Sequence, residues 1–242
     1  MPDYKVPVND YLFLFNQVLD MQSKYQHVEG GAEATPDMLE AIFFEAAKFC
    51  ENELVPIYQS GDEGCTWDDG VVTTPAGFKE AYAKFIEAGW TTLTGNPELG
   101  GQGLPSSLSI AVNEMLTTAN WAWAMYPGLS EGAIATLETS GTKQQQQDYL
   151  VKLISGQWSG TMCLTEPHCG TDLGQMKTKA TPNDDGSYSV NGTKIFISAG
   201  EHDLTENIVH IVLAKLPDAP SGTKGLSLFI IPKFLPAEDG SA

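Results

Sequence analysis

The hydrophobic period of this chain changes once, close to Gly156, and that change limits the folds open to it. Before it, apolar residues recur three and four apart: Leu12, Phe15, Val18 and Leu19, then Met38, Leu39, Ile42, Phe43, Ala46 and Phe49, then Phe78, Tyr82, Phe85 and Ile86. Such spacing lays one helical face against a core. From Trp158 onward the apolar runs are short and strand-like: WSGTMCLT, MKTKAT, SYSV, TKIFIS, NIVHIVLAKL and KGLSLFIIP. Helices first and strands second predict an α+β fold, an α-helical region followed by an antiparallel β-barrel or sandwich-like one. The expected division is 1–34 as an extension with one helix, 35–156 as the helical domain and 157–242 as the β domain. Roughly five or six short strands barely close a barrel, so the β domain is expected to be incomplete.

Punctuation supports these elements. Asn9 or Asp10 can cap the first helix, and Thr35-Pro36 and Thr74-Pro75 each read as an N-cap followed by proline at the first helical position. Gly89 is a stop signal for the third helix. Further helical patterns run from Ser106 to Thr118, from Leu129 to Thr139 ending at Gly141, and from Thr142 to Ser155 ending at Gly156. Asn191-Gly192, between SYSV and TKIFIS, predicts a two-residue hairpin turn, because both residues tolerate positive φ.

Charge narrows the partners. A formal charge of −18 over 242 residues repels phosphates, which argues against nucleic acid and anionic membrane surfaces. No apolar run reaches the roughly 18 residues of a spanning helix, and MPDYKVPVND lacks the basic start and apolar stretch of a signal peptide. A soluble, cytoplasmic protein is expected. Cys50, Cys65, Cys163 and Cys169 match neither a CxxC pair nor a disulfide framework, and are read as reduced thiols. His168 beside Cys169 is the one close histidine–cysteine pair, too little for a metal site.

Three short motifs carry possible chemistry. GLSEG (128–132) has the GxSxG spacing of a hydrolase nucleophile elbow with Ser130 as nucleophile. That elbow needs strand, sharp turn and helix, whereas the Leu129, Ala133, Ile134 and Leu137 spacing puts Ser130 in a helix's first turn. GGQGLP (100–105) lacks both the third glycine and the preceding strand of a dinucleotide loop and reads as a connection between helices. TMCLTEPHCGTD (161–172) is the most suggestive: Thr165 and Thr171 offer hydroxyls, Pro167 fixes the chain, and Gly170 allows either close approach of a ligand or positive φ. Successive N–H groups near Gly170 and Thr171 could cradle a phosphate oxygen, although a capped turn at a strand end explains the same residues.

GWTTLTGNPELGGQGLP, TMCLTEPHCGTD, NGTKIFISAG and TKGLSLFIIPK, collinear over about Met38 to Lys233, resemble the acyl-CoA dehydrogenase family. The N-terminal helix and FISAGEHDLTENIVH are most similar to its larger branch acting on methylthiopropanoyl-CoA-like substrates. The resemblance implies an N-terminal helical domain and a middle β domain that hold FAD, with the family's C-terminal four-helix domain absent from these residues. It implies that Leu164 and Thr165 give backbone and hydroxyl hydrogen bonds to the flavin, with Met162 packed beside it. Gly170 and Thr171 would reach the FAD diphosphate or the acyl-CoA, and Phe196, Ile197 and Ser198 would form the second flavin segment. Met162 stands where many members carry an aromatic residue, and Phe196 where tryptophan is usual, which alters stacking. WAWAMY (121–126) falls beside the family's acyl pocket; Met125 and Tyr126 are read as pocket lining or as core.

The reaction so implied removes two hydrogens across the α and β carbons of an acyl-CoA thioester. The proton-abstracting glutamate of the family belongs to its C-terminal bundle, so no catalytic residue is assigned within residues 1–242 and the chain alone is expected to be inactive. Glu166 is read as part of a structural turn. An electron-transferring flavoprotein as electron acceptor and homo-oligomerisation of the full-length protein are further implications. The alternatives are a non-catalytic binding module of the same fold and a serine hydrolase using Ser130.

Overall fold

A computed structural model of the chain describes residues 4–237; residues 1–3 of the expected extension and 238–242 of the expected β domain lie outside the described residues. Helices dominate up to Ile154: α1 (Val8–Phe13), α2 (Met21–Tyr25), α3 (Pro36–Phe49), α4 (Tyr58–Glu63), a hairpin of β1 (Thr66–Asp68) and β2 (Val71–Thr73), then α5 (Phe78–Glu87), α6 (Ser106–Ala119), α7 (Trp121–Ser140), α8 (Lys143–Gln145) and α9 (Val151–Ile154). Thr35 caps α3 as expected, its Oγ1 accepting the Met38 N–H at 3.3 Å. Thr142 and Gln145 close a capping box on α8. Gly89 and Gly156, with φ of 76° and 77°, follow α5 and α9 in the left-handed conformation that ends a helix.

Three expectations need correction here. Thr74 does not cap α5; its hydroxyl and N–H both donate to Asp203, at 2.7 and 3.1 Å, and Gly77 precedes the helix instead. Pro7, not Asn9 or Asp10, stands at the N-cap of α1. The helix expected from Leu129 begins at Trp121, where Asn120 Oδ1 accepts the Trp123 N–H at 3.1 Å. Pro127 therefore lies inside α7, a residue that removes one intrahelical hydrogen bond and so suggested a start.

The twenty residues of α7 join two cores. Trp123, Ala124 and Tyr126 belong to the helical core with Phe43, Leu54, Tyr82, Leu108 and Met115. About two turns later, Ala133 and Leu137 pack with Leu153, Trp158, Val209 and Ile211 of the β region. Gly160 makes this contact possible: a Cβ there would stand 2.4 Å from the Ala133 Cβ. Its N–H donates to Ser130 Oγ at 3.0 Å.

The main sheet contains β3 (Trp158–Cys163), β4 (Lys179–Pro182), β5 (Tyr188–Asn191), β6 (Asn207–Lys215) and β7 (Leu226–Pro232). Its pairings are mixed. β6–β7 and β4–β5 are antiparallel, whereas β3–β6 and the single β4–β6 contact at Lys179 and Lys215 are parallel. The long connection from residue 164 to 206 returns the chain in the same direction, as parallel pairing requires. Across three strands Met162, Ile211 and Ile230 are in register on the face that α7 covers, and Cys163, Val212 and Phe229 on the other. The β4–β5 hairpin turns at Asn183–Ser187, where Gly186 has φ of 85°. The expected Asn191-Gly192 hairpin is not formed, nor is TKIFIS a strand. Gly192 serves close approach, since a Cβ on it would meet Thr178 Oγ1 at 2.2 Å.

Candidate functional site

β3 stops at Cys163, and the next residues fold back on themselves. Glu166 N–H donates to Cys169 O at 2.8 Å and Cys169 N–H to Glu166 O at 3.1 Å, a tight turn around Pro167 and His168. The Glu166 side chain points inward and is 3% exposed. Its Oε2 accepts the Lys177 N–H at 2.8 Å; its Oε1 accepts the Thr178 N–H at 3.0 Å, the Thr178 hydroxyl, and Lys194 Nζ at 3.0 Å. Burial alone would raise this carboxyl's pKa, but those donors outweigh it and hold the group down at about 2. Glu166 is thus a buried anchor for the turn, in keeping with the structural place the family resemblance implies.

The second segment lies against the first. Ile195 N–H donates to Thr165 O at 2.9 Å, and Lys194 Nζ donates to Leu164 O at 3.0 Å. A Cβ on Gly170 would sit 3.4 Å from Thr165 Cγ2, so Gly170 closes over Thr165. Gly170 does not use positive φ; Phe196 and Ala199 do, at 56° and 52°. That conformation costs a non-glycine residue roughly 1–2 kcal/mol. It turns Phe196 outward, leaving it 88% exposed, where the expected strand would have alternated it with its neighbours. Ile197 is half-buried and Ser198 exposed.

The outcome is a surface of unengaged donors. Among the described residues, the N–H groups of Thr165, Gly170, Thr171, Ile197 and Ser198 and the hydroxyls of Thr165, Thr171 and Ser198 have no hydrogen-bond partner. All five residues are accessible. Met162, 41% exposed, breaks the otherwise buried pattern of β3 just before this turn. On the opposite face of the sheet a cavity of about 470 Å³ is lined by Cys163, Thr178, Lys194, Ile197 and His210 among others.

Met125 is half-buried on α7. Tyr126 sits in the helical core: its ring meets Phe78 and His202 edge-on, at 6.2 and 5.1 Å, and its hydroxyl is 3.5 Å from Cys65 Sγ. His202 locks this junction. Its Nδ1 accepts the Leu204 N–H at 3.1 Å, so its Nε2 carries the proton and donates to Ser159 Oγ at 2.9 Å. Ser159 in turn reaches Thr205 Oγ1 at 3.1 Å, and Thr205 donates to Asn207 O at 2.9 Å. Burial is the main cause of a His202 pKa held down at about 4, against the upward pull of Glu201 and Asp203.

Ser130 lies in mid-helix, not in a first turn, and is 6% exposed. Its hydroxyl donates to Tyr126 O at 3.4 Å while accepting the Gly160 N–H, an arrangement for docking a helix and not for nucleophilic attack. The sequence reading assigned no metal. Ligand-type atoms of Glu166, His168 and Cys169 do come within 4.8 Å of one another. His168 Nε2 already donates to Gln175 O at 3.0 Å, and the Lys194 ammonium beside Glu166 would repel a cation.

Sequence reasoning missed Lys194, Thr178, His202 and the Asp203–Thr74 link. Lys194 left one trace, a charged residue at the head of the apolar run Ile195, Phe196 and Ile197. The other three left none, because each acts through a partner at least twelve positions away.

The family model described as acyl-CoA dehydrogenase, N-terminal domain, matches residues 36–157, and that of the acyl-CoA dehydrogenase middle domain matches 161–240. A 3-methylmercaptopropionyl-CoA dehydrogenase of Ruegeria pomeroyi is 43% identical over 238 residues, 98% of this chain and 40% of that protein. The structure of butyryl-CoA dehydrogenase from Megasphaera elsdenii superposes with a TM-score of 0.65 at 26% identity, covering 88% of this chain and 49% of that one. An acyl-CoA dehydrogenase from Bacillus anthracis complexed with FAD gives a TM-score of 0.63 at 26% identity, over 80% of this chain and 30% of that one. The chain thus spans about 40% of the Ruegeria relative and under half of these two structures.

Proposed function

Because this chain belongs to the acyl-CoA dehydrogenase family, we propose that residues 1–242 form the helical and middle portions of an FAD-dependent enzyme that desaturates the α,β bond of an acyl-CoA thioester. One observation carries the assignment of the cofactor face: accessible, unpaired N–H and hydroxyl groups of Thr165, Gly170 and Thr171 crowd a turn whose inner side is locked by Glu166. Such a set of preformed donors fits the polar edge of a flavin and its diphosphate. Leu164 and Thr165 bind the ring edge, Met162 packs beside it, and Gly170 and Thr171 hold the diphosphate or the acyl-CoA. Phe196, Ile197 and Ser198 form the second wall. The exposed Phe196 ring suits that role, since an aromatic residue held outward in a strained conformation stabilises nothing within the chain itself.

When bound, FAD supplies the two-electron acceptor that side chains lack. The acyl chain runs past Met125, with Tyr126 forming the rear of its pocket. The base that takes the α proton lies on polypeptide outside these residues. Glu166 is unsuited to that task, because both its oxygens already accept hydrogen bonds and its pKa near 2 makes it a poor proton acceptor at neutral pH. The methylthiopropanoyl-CoA class is the favoured substrate, on the strength of the Ruegeria relative's name and 43% identity. An electron-transferring flavoprotein takes the electrons, and the full-length enzyme is a homo-oligomer.

The test is an FAD titration of the chain followed by flavin absorption and fluorescence. Saturable spectral perturbation, abolished by Gly170→Trp and weakened by Thr165→Val, is expected, together with no dehydrogenation of acyl-CoA by the 242-residue chain. A flavin spectrum unmoved by the wild-type chain would favour a non-catalytic module of the same fold.

A further inference from the structure

We propose that Lys194 is a positioning residue that fixes the orientation of the Leu164–Thr165 peptide, and so aims the Thr165 N–H at the ligand; that the ligand is FAD rests on the function proposed above. The β3 ladder ends at Cys163, so no strand neighbour continues to hold the Leu164 carbonyl. Lys194 takes that place. Its ammonium has three N–H groups and three acceptors: Leu164 O at 3.0 Å, Glu166 Oε1 at 3.0 Å and Met176 Sδ at 3.4 Å. Only 10% of the side chain is exposed, so it is a clamp behind the surface and not a ligand contact.

Peptide geometry converts this clamp into an aim. All described peptide bonds are trans, and in a trans peptide the C=O and the following N–H point in opposite directions. With the Leu164 carbonyl drawn inward to Lys194, the Thr165 N–H must point away from it, and that N–H is one of the unpaired donors. The next carbonyl, Thr165 O, is held by the Ile195 N–H, which fixes the following peptide and ties the Lys194–Ile195 backbone to this turn. Glu166 holds the ammonium in place and is itself fixed by Lys177 and Thr178. A flipped Leu164–Thr165 peptide would present a carbonyl, an acceptor, where the ligand's acceptor atoms need a donor.

Two variants test this. Lys194→Met strands the buried Glu166 carboxylate and is expected to lower the melting temperature. Glu166→Gln/Lys194→Met removes that unpaired charge, keeps an acceptor for Thr178, and still releases the Leu164 carbonyl. In the folded double variant, amide hydrogen exchange at Ile195 is expected to quicken about tenfold or more, with β6 and α7 protection unchanged. FAD affinity is expected to fall about tenfold or more, with a changed bound-flavin absorption envelope. Unchanged Ile195 protection in the double variant overturns the proposal, as does unchanged FAD affinity where the wild type binds FAD. Should wild-type protein bind no FAD while the double variant still loses Ile195 protection, the clamp stands and only the flavin assignment falls.

Discussion

Acid should loosen the junction between helices and sheet through one residue, His202. The side chain is 3% exposed, with both ring nitrogens engaged by Leu204 N–H and Ser159 Oγ and the Tyr126 ring 5.1 Å away. Protonating Nδ1 would break the Leu204 bond and place a charge in the core. Burial, with Lys233 and His210 assisting, holds its folded pKa near 4 against an ordinary 6.5, although Glu201 and Asp203 oppose the shift. The unfolded chain therefore binds this proton first. Stability from neutral His202 is complete above pH 6.5, falls by about 1.4 kcal/mol per pH unit below it, and levels off beneath pH 4, for a total of about 3 kcal/mol. His210 is shifted in the same direction, so the wild-type curve alone does not isolate His202. Urea unfolding of wild type and His202→Gln across pH 4 to 7.5 does, because glutamine can donate to Ser159 and accept from Leu204 without titrating. The difference between the two stability curves should slope through this window. A flat difference would refute the reasoning, whatever the variant's absolute stability.

Glu166 acts lower: its folded pKa of about 2 lies below the ordinary 4.5, so its stabilisation is present above pH 4.5 and lost as pH falls through about 2, and Glu166→Gln should remove that second acid limb of the unfolding curve. Gly160→Ala, with its new methyl 2.4 Å from Ala133 Cβ, is expected to cost about 1–3 kcal/mol by overpacking, read as a lower urea midpoint. Ser130→Ala should cost about 1–3 kcal/mol by leaving the buried Gly160 N–H without an acceptor, and wild type should resist fluorophosphonate labelling. Phe196→Gly should stay within about 1 kcal/mol of wild type, since relief of φ at 56° offsets glycine's extra chain entropy, yet weaken flavin binding in the spectral titration.

Most helices and all five main-sheet strands were legible because their signals are local: apolar spacing, Thr35-Pro36, the Thr142–Gln145 box, Gly89 and Gly156. The β1–β2 hairpin, not among the expected elements, also carries a local signal in Asp69-Gly70, where φ is 45° and 87°. TMCLTEPHCGTD was recognisable as a turn offering donors, because threonine, proline and glycine carry their conformational and hydrogen-bonding preferences with them. Partner choice was not. Asn191-Gly192 had every mark of a hairpin, yet packing against Thr178 took the glycine for close approach. Phe196 reads as a strand residue until Lys194 and Ile195 tie the preceding backbone to Leu164 and Thr165, and the chain turns to left-handed φ. Strand direction also escaped local reading, although the near-continuous burial of β6 is what a strand covered on both faces, and so open to parallel pairing, would show. Residue type and spacing decide what a segment can form on its own; which distant donor meets which acceptor is settled only when the whole chain has buried its apolar surface and each enclosed polar group must find a partner.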